Sequence, residues 1–433
     1  MEDDDIRQLL HATYTADGRE PTVNPGTFEQ QAKQPHRSNM ATPLIAVVAA
    51  LVVAVPVGVV ALVRGGVIGG SGGSTTLVED LHMYGANEGW AWAGGNEIMH
   101  TTSGVQHWTI VPPPIGNQAI VGVAWAGADS ARILAAPAAA ANTVEQPYTL
   151  TPWMTDNAGA TWTQGQPFRV LLETGEIPSN GSSYADLDFV DPLHGWFFDA
   201  QMPAVGAPMF VYRTVDGGVH WSQVEMTPAS GKTAPGALPV GCSPYGMTFV
   251  STTTGWVTGS CGLATLFDVT HDRGATWAPQ TFPCTNCALY PPQFASALDG
   301  QLFGENGMGA LFVTSDGGRT WTARTDPSGE APDFIDADHG FTMGLTGNIN
   351  PAAVLWRTTD GGATWSQAPN GAIRGNGPAE TGELDFISAT TGWMESLPVY
   401  SEPVPNMVPP QLWQTTDAGS TWTLITPTFT TSK

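Results

Sequence analysis

One eight-residue pattern recurs through the chain and limits what it can fold into. Its clearest copy is Thr358-Thr-Asp-Gly-Gly-Ala-Thr-Trp365, with relatives ending at Trp221, Trp277, Trp321 and Trp422. Two worn copies, with Asn157 or Ser103 in place of the aspartate, end at Trp162 and Trp108. The seven terminal tryptophans are spaced 54, 59, 56, 44, 44 and 57 residues apart, the period of one multi-stranded module rather than of a single helix or hairpin. Within each octet the aspartate side chain can accept hydrogen bonds from following backbone N–H groups, as in an Asx turn. The glycine two residues on supplies the positive φ of a tight corner. The closing tryptophan then buries a large apolar ring on the next strand. Four residues before the Asp position stands Met99, Trp153, Tyr212, Asp268, Phe312, Trp356 or Trp413, and six of these seven are core-forming.

A second signature lies upstream of the octets. Gly89-Trp90, Gly195-Trp196, Gly255-Trp256, Gly340-Phe341 and Gly392-Trp393 each follow a polar turn, and short alternating runs such as Leu187-Asp-Phe-Val190 and Leu384-Asp-Phe-Ile387 come before it. Each unit therefore reads strand, turn, Gly-Trp strand, loop, strand, Asp-Gly-Gly turn, Trp strand. Four strands in about 45–60 residues is one propeller blade. The expected fold is all-β, a seven-bladed β-propeller with four-stranded blades over residues 77–430. Eleven of the 16 tryptophans then belong to blade cores.

The octet resembles the Asp-box, or BNR repeat, of sialidases, xyloglucanases, sortilin-type receptors and the photosystem II assembly and stability factor family. The resemblance covers roughly residues 77–427. It implies a propeller in which Asp216, Asp272, Asp316, Asp360 and Asp417, with Trp108, Trp162, Trp221, Trp277, Trp321, Trp365 and Trp422, serve structure at hairpin turns away from the central pocket. The sialidase members clamp a carboxylate with three arginines. Here only eight arginines follow Arg64; Arg273 and Arg319 lie inside octets, and Arg213 and Arg357 stand directly before them. The single-propeller assembly factor uses an arginine patch, whereas residues 65–433 carry 10 basic against 32 acidic groups, a net of −22.

The start of the chain has a different character. Leu44 to Val63 is an uncharged run of 20 residues, long enough at ~1.5 Å per residue to cross a ~30 Å hydrocarbon core. It exceeds a signal-peptide core and lacks an A-x-A cleavage site, so it reads as an uncleaved transmembrane helix. Lys33 and Arg37 precede it and Arg64 follows, a bias toward an inside N-terminus. The expected organisation is a cytoplasmic tail over 1–43, a transmembrane helix over 44–63, a Gly/Ser linker over 64–76, and the propeller outside. This is a single-pass type II protein of the plasma membrane with a monomeric exterior.

All four cysteines lie in the second half, which suits an oxidising compartment. Cys242, Cys261, Cys284 and Cys287 permit three pairings. A cross-strand 242–261 bridge and a small 284–287 loop are the natural choice, against a redox Cys-x-x-Cys or a four-cysteine zinc site. A formal charge of −24 argues against nucleic acid as a partner. No H-E-x-x-H spacing or phosphate-cradling glycine loop occurs, and no G-x-S-x-G stands at a strand-to-helix elbow, so no metal or cofactor is expected. The expected function is non-catalytic binding or assembly of a protein or polysaccharide ligand. The long stretches Gln164–Ser183, Thr227–Gly241 and Leu397–Pro410, and the aromatics Tyr245, Tyr290 and Tyr400, are candidate recognition elements. The alternative is a glycoside hydrolase in which two of Asp199, Glu305 and Glu395 flank a sugar bond near the axis.

Overall fold

The structure, a computed structural model, describes residues 80–431 except 94–95, 138–147, 171–182, 202–207, 229–230, 306–309, 347–351, 374–383, 397–398, 401–406 and 409–410. The expected tail, membrane helix and linker lie outside the described residues. Among the described residues no helix is long and apolar enough to cross a membrane.

Seven antiparallel sheets follow one another along the chain, each built from four consecutive positions in the order first–second–third–fourth. Blade 1 comprises His82–Met83, Gly89–Trp92, Ile98–Thr101 and His107–Ile110. Blade 2 comprises Gln118–Gly127, Ser130–Pro137, Tyr148–Thr155 and Thr163–Gln164, with Phe168–Val170 pairing back onto its third strand. Blade 3 runs from Ser183–Phe189 through Gly195–Gln201 and Met209–Thr214 to Ser222–Thr227, and blade 4 from Ser243–Phe249 through Gly255–Cys261 and Ala264–Thr270 to Ala278–Pro279. In blade 5 the first position is split into Ala288–Leu289 and Gln293–Phe294, followed by Gly300–Glu305, Ala310–Thr314 and Thr322–Arg324. Blade 6 comprises Asp333–Phe334, Gly340–Thr346, Ala352–Thr358 and Ser366–Ile373. Blade 7 comprises Leu384–Phe386, Gly392–Ser396, Gln411–Thr415 and Thr423–Ile425.

The blades pack as a closed ring. Shared apolar clusters join blades 1 and 2, 2 and 3, 3 and 4, 4 and 5, 6 and 7, and 7 and 1. Between blades 5 and 6, Leu311 packs against the turn at Gly362. The first strands form the inner layer, and those of blades 7 and 1 adjoin each other. The protein is a seven-bladed all-β propeller.

A chain segment after blade 7 provides a further clasp. Thr428–Thr431 leaves blade 7 and pairs in parallel with His107–Ile110, the fourth strand of blade 1. Thr428 N donates to Gln106 O at 2.9 Å, and half-buried Phe429 joins the cluster shared by blades 7 and 1.

The sequence signatures acquire physical reasons in this ring. In each Gly-Trp pair the aromatic residue is buried against the next blade: Trp90, Trp196 and Trp393 are fully buried. The preceding glycine has no room for a side chain, because a first-strand residue lies across it: Met83 over Gly89, and a phenylalanine in the other pairs, as Phe189 over Gly195 and Phe249 over Gly255. That same phenylalanine stacks on the aromatic residue of the blade before. Phe249 lies on Trp196 at 3.7 Å between centroids, and Phe386 on Phe341 at 3.6 Å. Glycine, phenylalanine and tryptophan thus make a three-layer seam between neighbouring blades.

Blade 2 lacks the Gly-Trp pair for a visible reason. Arg132 occupies the tryptophan's position and is 5 % exposed. Its guanidinium donates to Thr155 O at 2.9 Å, pairs with Asp156 at 2.8 Å and reaches Pro192 O of blade 3.

The octets form compact hydrogen-bonded corners. In the copy at 314–321, Thr314 Oγ1 donates to Asp316 Oδ1 at 2.9 Å and accepts from Gly318 N at 3.0 Å, while Asp316 accepts from Thr320 N at 2.9 Å and Thr320 Oγ1 at 2.7 Å. The copies at Asp272, Asp360 and Asp417 repeat this pattern, and at Asp216 the second partner is His220. Asn157 preserves the backbone contact at 3.0 Å. These bonds hold all five carboxyls below the usual carboxylate range.

Two details differ from the sequence expectation. First, six of the seven octet tryptophans immediately precede the fourth strand instead of lying in it; only Trp108 lies within. Trp108, Trp277 and Trp321 are buried and the other four are half-buried. In four copies the indole N–H caps a carbonyl of its own turn, as Trp321 Nε1 does Gly318 O at 3.1 Å, which holds the ring close to the corner. Second, the fourth octet residue has positive φ in all seven copies, including Ala158 at 56°, Arg273 at 71° and Ala418 at 59°, and the fifth has it in every copy but the first. The fifth, always glycine outside the first octet, receives a side chain of the preceding blade: Val111, Met154, Val211, Trp256, Leu311 and Leu355 in turn.

Candidate functional site

The register defines two faces. Gly195 pairs with both Phe189 and Thr214, so the connection between first and second strands and the octet corner share one face, the turn face. Connections between second and third strands, and between successive blades, join strand ends on the opposite loop face. The stretches Gln164–Ser183, Thr227–Gly241 and Leu397–Pro410 are all connections of this second kind.

The proposed hydrolytic carboxylates are not gathered on one strand position. Asp199, Glu305 and Glu395 stand on the second strands of blades 3, 5 and 7, which are not neighbours. Asp199 is fully buried four residues after its strand's leading glycine, whereas Glu305 and Glu395 stand five and three residues after theirs. Alternation therefore directs Asp199 to the opposite side of its sheet from Glu395, and the Glu305 side chain lies outside the described residues. The first strand of each blade lies between these strands and the axis.

The inner layer carries carboxylates that the sequence reading passed over. Asp188 Oδ2 accepts from Phe249 N at 2.7 Å, Asp333 Oδ2 from Phe386 N at 2.6 Å, and Asp385 Oδ2 from Met83 N at 2.8 Å. Each bond runs from one blade's first strand to the next, and Asp186 makes the same link to Met247 N at 3.0 Å. Asp333 and Asp385 lie deep among protein atoms in the inner layer yet keep some accessible surface. Desolvation pushes the Asp333 carboxyl up to about 7. It raises Asp385 well above the usual range, with the nearby Asp333 charge adding to the effect. The visible trace was the repeated Leu-Asp-Phe, where alternation alone would have assigned the aspartate to solvent.

The inner layer is irregular in blade 2, whose first strand shifts register twice, and again at blades 4 and 5. The register of the first strand of blade 4 shifts between Pro244 and Gly246, leaving Tyr245 as the extra residue of a bulge. Gly259 opposite has φ 151°, and any side chain there would strike the backbone of Ser243 and Pro244. In blade 5, Pro291-Pro292 interrupts the first strand, and Pro291 packs where Gly246 leaves space. Cys242 bonds Cys261 across the start of the bulged hairpin, and Cys284 bonds Cys287 just before the interrupted strand.

Between these braces the half-buried rings of Tyr245 and Tyr290 meet at 5.7 Å and 49°, and Tyr290 lies 6.0 Å from Phe303. Asp186 borders the same place, beside Gly246. The Tyr400 side chain lies outside the described residues. A bulge, a proline break and two covalent links around one aromatic pair fix the rings' positions, which is how a binding surface avoids an ordering cost. Residues able to hold a metal lie elsewhere, where Glu88, His100 and Asp129 converge on the turn face.

Comparison with known proteins bears out the architecture and stops there. No protein-family model and no curated protein matches the chain. Among solved structures it is similar to a GH74 xyloglucanase from Xanthomonas campestris, with a TM-score of 0.53 at 16 % identity over 81 % of this chain and 53 % of that one. It spans about half of that enzyme. It is also similar to YCF48 bound to D1 peptide, with a TM-score of 0.46 at 17 % identity over 74 % of this chain and 91 % of that one. A third likeness is to the polysaccharide lyase Uly1, with a TM-score of 0.47 at 10 % identity over 83 % and 95 %.

Proposed function

We propose that the protein is a non-catalytic binding propeller that takes an uncharged polysaccharide or protein segment against Tyr245 and Tyr290, at the inner edge of blades 4 and 5. The observation that carries this reading is the aromatic pair held between a bulge, a proline break and two disulfides. Tyrosine offers a broad apolar face with a polar tip, a combination suited to sugar rings and extended peptides alike. The acidic inner layer and the formal charge of −24 disfavour anionic ligands. The hydrolase alternative lacks comparable support, because its three carboxylates occupy separate blades. In this reading the octets are Asp-boxes acting as structural corners.

Binding of the full chain to a panel of neutral oligosaccharides and uncharged peptides tests the proposal. Tyr245→Ala and Tyr290→Ala are each expected to weaken the retained ligand by about 10-fold or more, since aromatic anchors dominate such sites. Their melting temperatures should stay near that of the parent. Retained affinity in both variants would sink the reading. Glu305→Gln should leave binding unchanged, and release of aryl alcohol from aryl glycosides should not be detected; turnover abolished by that substitution would favour the hydrolase.

The same proposal places the propeller outside the plasma membrane, anchored through residues 44–63 as a single-pass type II protein. The apolar run and the paired cysteines support it. Protease added to intact cells should then cleave the propeller while sparing residues 1–43.

A further inference from the structure

A second group of side chains meets on the turn face, between blades 1 and 2. Glu88 stands just before the second strand of blade 1, His100 lies in its third strand, and Asp129 sits in the tight connection between the first two strands of blade 2. One ligand atom from each, two carboxylate oxygens and an imidazole nitrogen, lie within 4.8 Å of one another. His100 is 5 % exposed, Glu88 is half-buried and Asp129 is exposed, so the group opens to solvent on one side only.

The site is built rather than accidental. The segment that carries Asp129 is pinned to blade 1 by three carbonyls: Trp125 O accepts from Tyr84 Oη at 2.9 Å, Gly127 O from Trp90 Nε1 at 3.0 Å, and Ala128 O meets His100 Nε2 at 3.0 Å. Asp129's own carbonyl accepts from Ala158 N at 2.9 Å. The Trp90 ring meets the imidazole edge-on at 4.4 Å and stacks on Trp125 at 5.6 Å, fixing the plane of His100. A histidine tied through one nitrogen to a backbone carbonyl is oriented, and its tautomer set, as metal-bound histidines are.

Charge supplies the second observation. Among the described residues, neither the Glu88 nor the Asp129 carboxylate accepts a hydrogen bond or pairs with a cation. Two like charges held this close by fixed backbone repel one another unless a cation lies between them.

We propose that Glu88, His100 and Asp129 bind a divalent cation of the borderline class, with Zn²⁺ preferred over Mn²⁺ and both over Mg²⁺, and that the ion ties blade 2 to blade 1. The imidazole nitrogen selects against the hard, oxygen-preferring ions, the two carboxylates neutralise the charge, and solvent on the open side completes the shell. The site is independent of the tyrosine pair: it lies on the other face and on other blades, so failure of one reading leaves the other standing.

The test is titration of the full chain, stripped with chelator, with ZnCl₂ and separately with MgCl₂, read by calorimetry and by melting temperature. About one equivalent of Zn²⁺ should bind and raise the melting temperature by mass action, with no Mg²⁺ response at the same concentration. The isosteric double variant Glu88→Gln/Asp129→Asn should match or exceed the parent's metal-free melting temperature and lose about 100-fold or more in Zn²⁺ affinity, and His100→Gln should weaken it by about 10-fold or more. The proposal is overturned if the parent shows no Zn²⁺-dependent shift. It is equally overturned if the double variant titrates as the parent does, which would assign the metal to exposed histidines elsewhere.

Discussion

Gly318→Ala is expected to lower the stability of the propeller by about 3 kcal/mol, although the residue added is only a methyl group. Two costs combine. Gly318 sits at φ 77°, where an L-residue loses roughly 1–2 kcal/mol. The new Cβ would also enter the Trp256 ring of the preceding blade, which is 1 % exposed and cannot swing away, adding roughly 1–3 kcal/mol of overpacking. Gly85, whose added Cβ would meet nothing within 4 Å, is the control, and Gly85→Ala should change stability by less than about 0.5 kcal/mol. Chemical denaturation of the two variants beside the parent checks this. Equal effects would mean that the octet glycines do not set the spacing of the blades.

Stability should also run against the usual pH trend. The inner-layer carboxyls of Asp333 and Asp385, together with Asp268 at about 6, have folded-state values raised above their unfolded ones. Between the ordinary carboxylate value and the raised one the unfolded chain holds fewer protons, so stability falls as pH rises from about 4 to about 7. The five octet aspartates act oppositely. Their values are depressed, so their contribution is present above the ordinary value and is lost as pH falls below it. Taken alone, these two sets of carboxyls place the maximum of the melting temperature near about pH 4–5, with a decline toward about pH 7. The buried His100, its imidazole depressed by burial, partly offsets that decline as pH rises toward 6.5.

Asp333→Asn keeps an oxygen for the Phe386 N–H and removes the charge. Discounted for the water that reaches this group, the gain at pH 8 should be roughly 2 kcal/mol. At pH 4, where the parent carboxyl is already neutral, the variant and the parent should melt together. A variant that is destabilised equally at both pH values would show that the carboxylate is stabilising and that its burial carries no charge penalty.

The parts of this fold legible in the sequence are those whose cause is local. An octet corner needs a threonine, an aspartate, a glycine and a tryptophan within eight residues, and the Gly-Trp pair needs only adjacent positions. Counting them therefore gives seven blades. The seam between blades is long-range: Asp188 serves Phe249, and Asp385 serves Met83 some 302 residues away. Arg132 in a tryptophan's position follows no pattern, since its partners Thr155 and Pro192 are contributed by a later strand and the next blade. The clasp by Thr428–Thr431 is hidden for the same reason.

The candidate sites divide in the same way. Tyr245 and Tyr290 could be singled out as aromatics outside the repeat, but their meeting depends on a bulge and a proline break in different blades. Asp199, Glu305 and Glu395 had similar places in the pattern, yet offsets of four, five and three residues from the leading glycine separate them in the sheet. The period-2 rule makes a single residue of offset decisive. Glu88, His100 and Asp129 have no ligand spacing that a scan along the chain would find.

The proposed function holds ligand at the inner edge of blades 4 and 5. Its most direct test is hydrogen–deuterium exchange of the full chain with and without the tightest ligand from the neutral panel. Protection is expected in Ser243–Phe249 and across 288–294, with the octet corners unchanged. Protection confined to the turn face, or to blades 1 to 3, would contradict it.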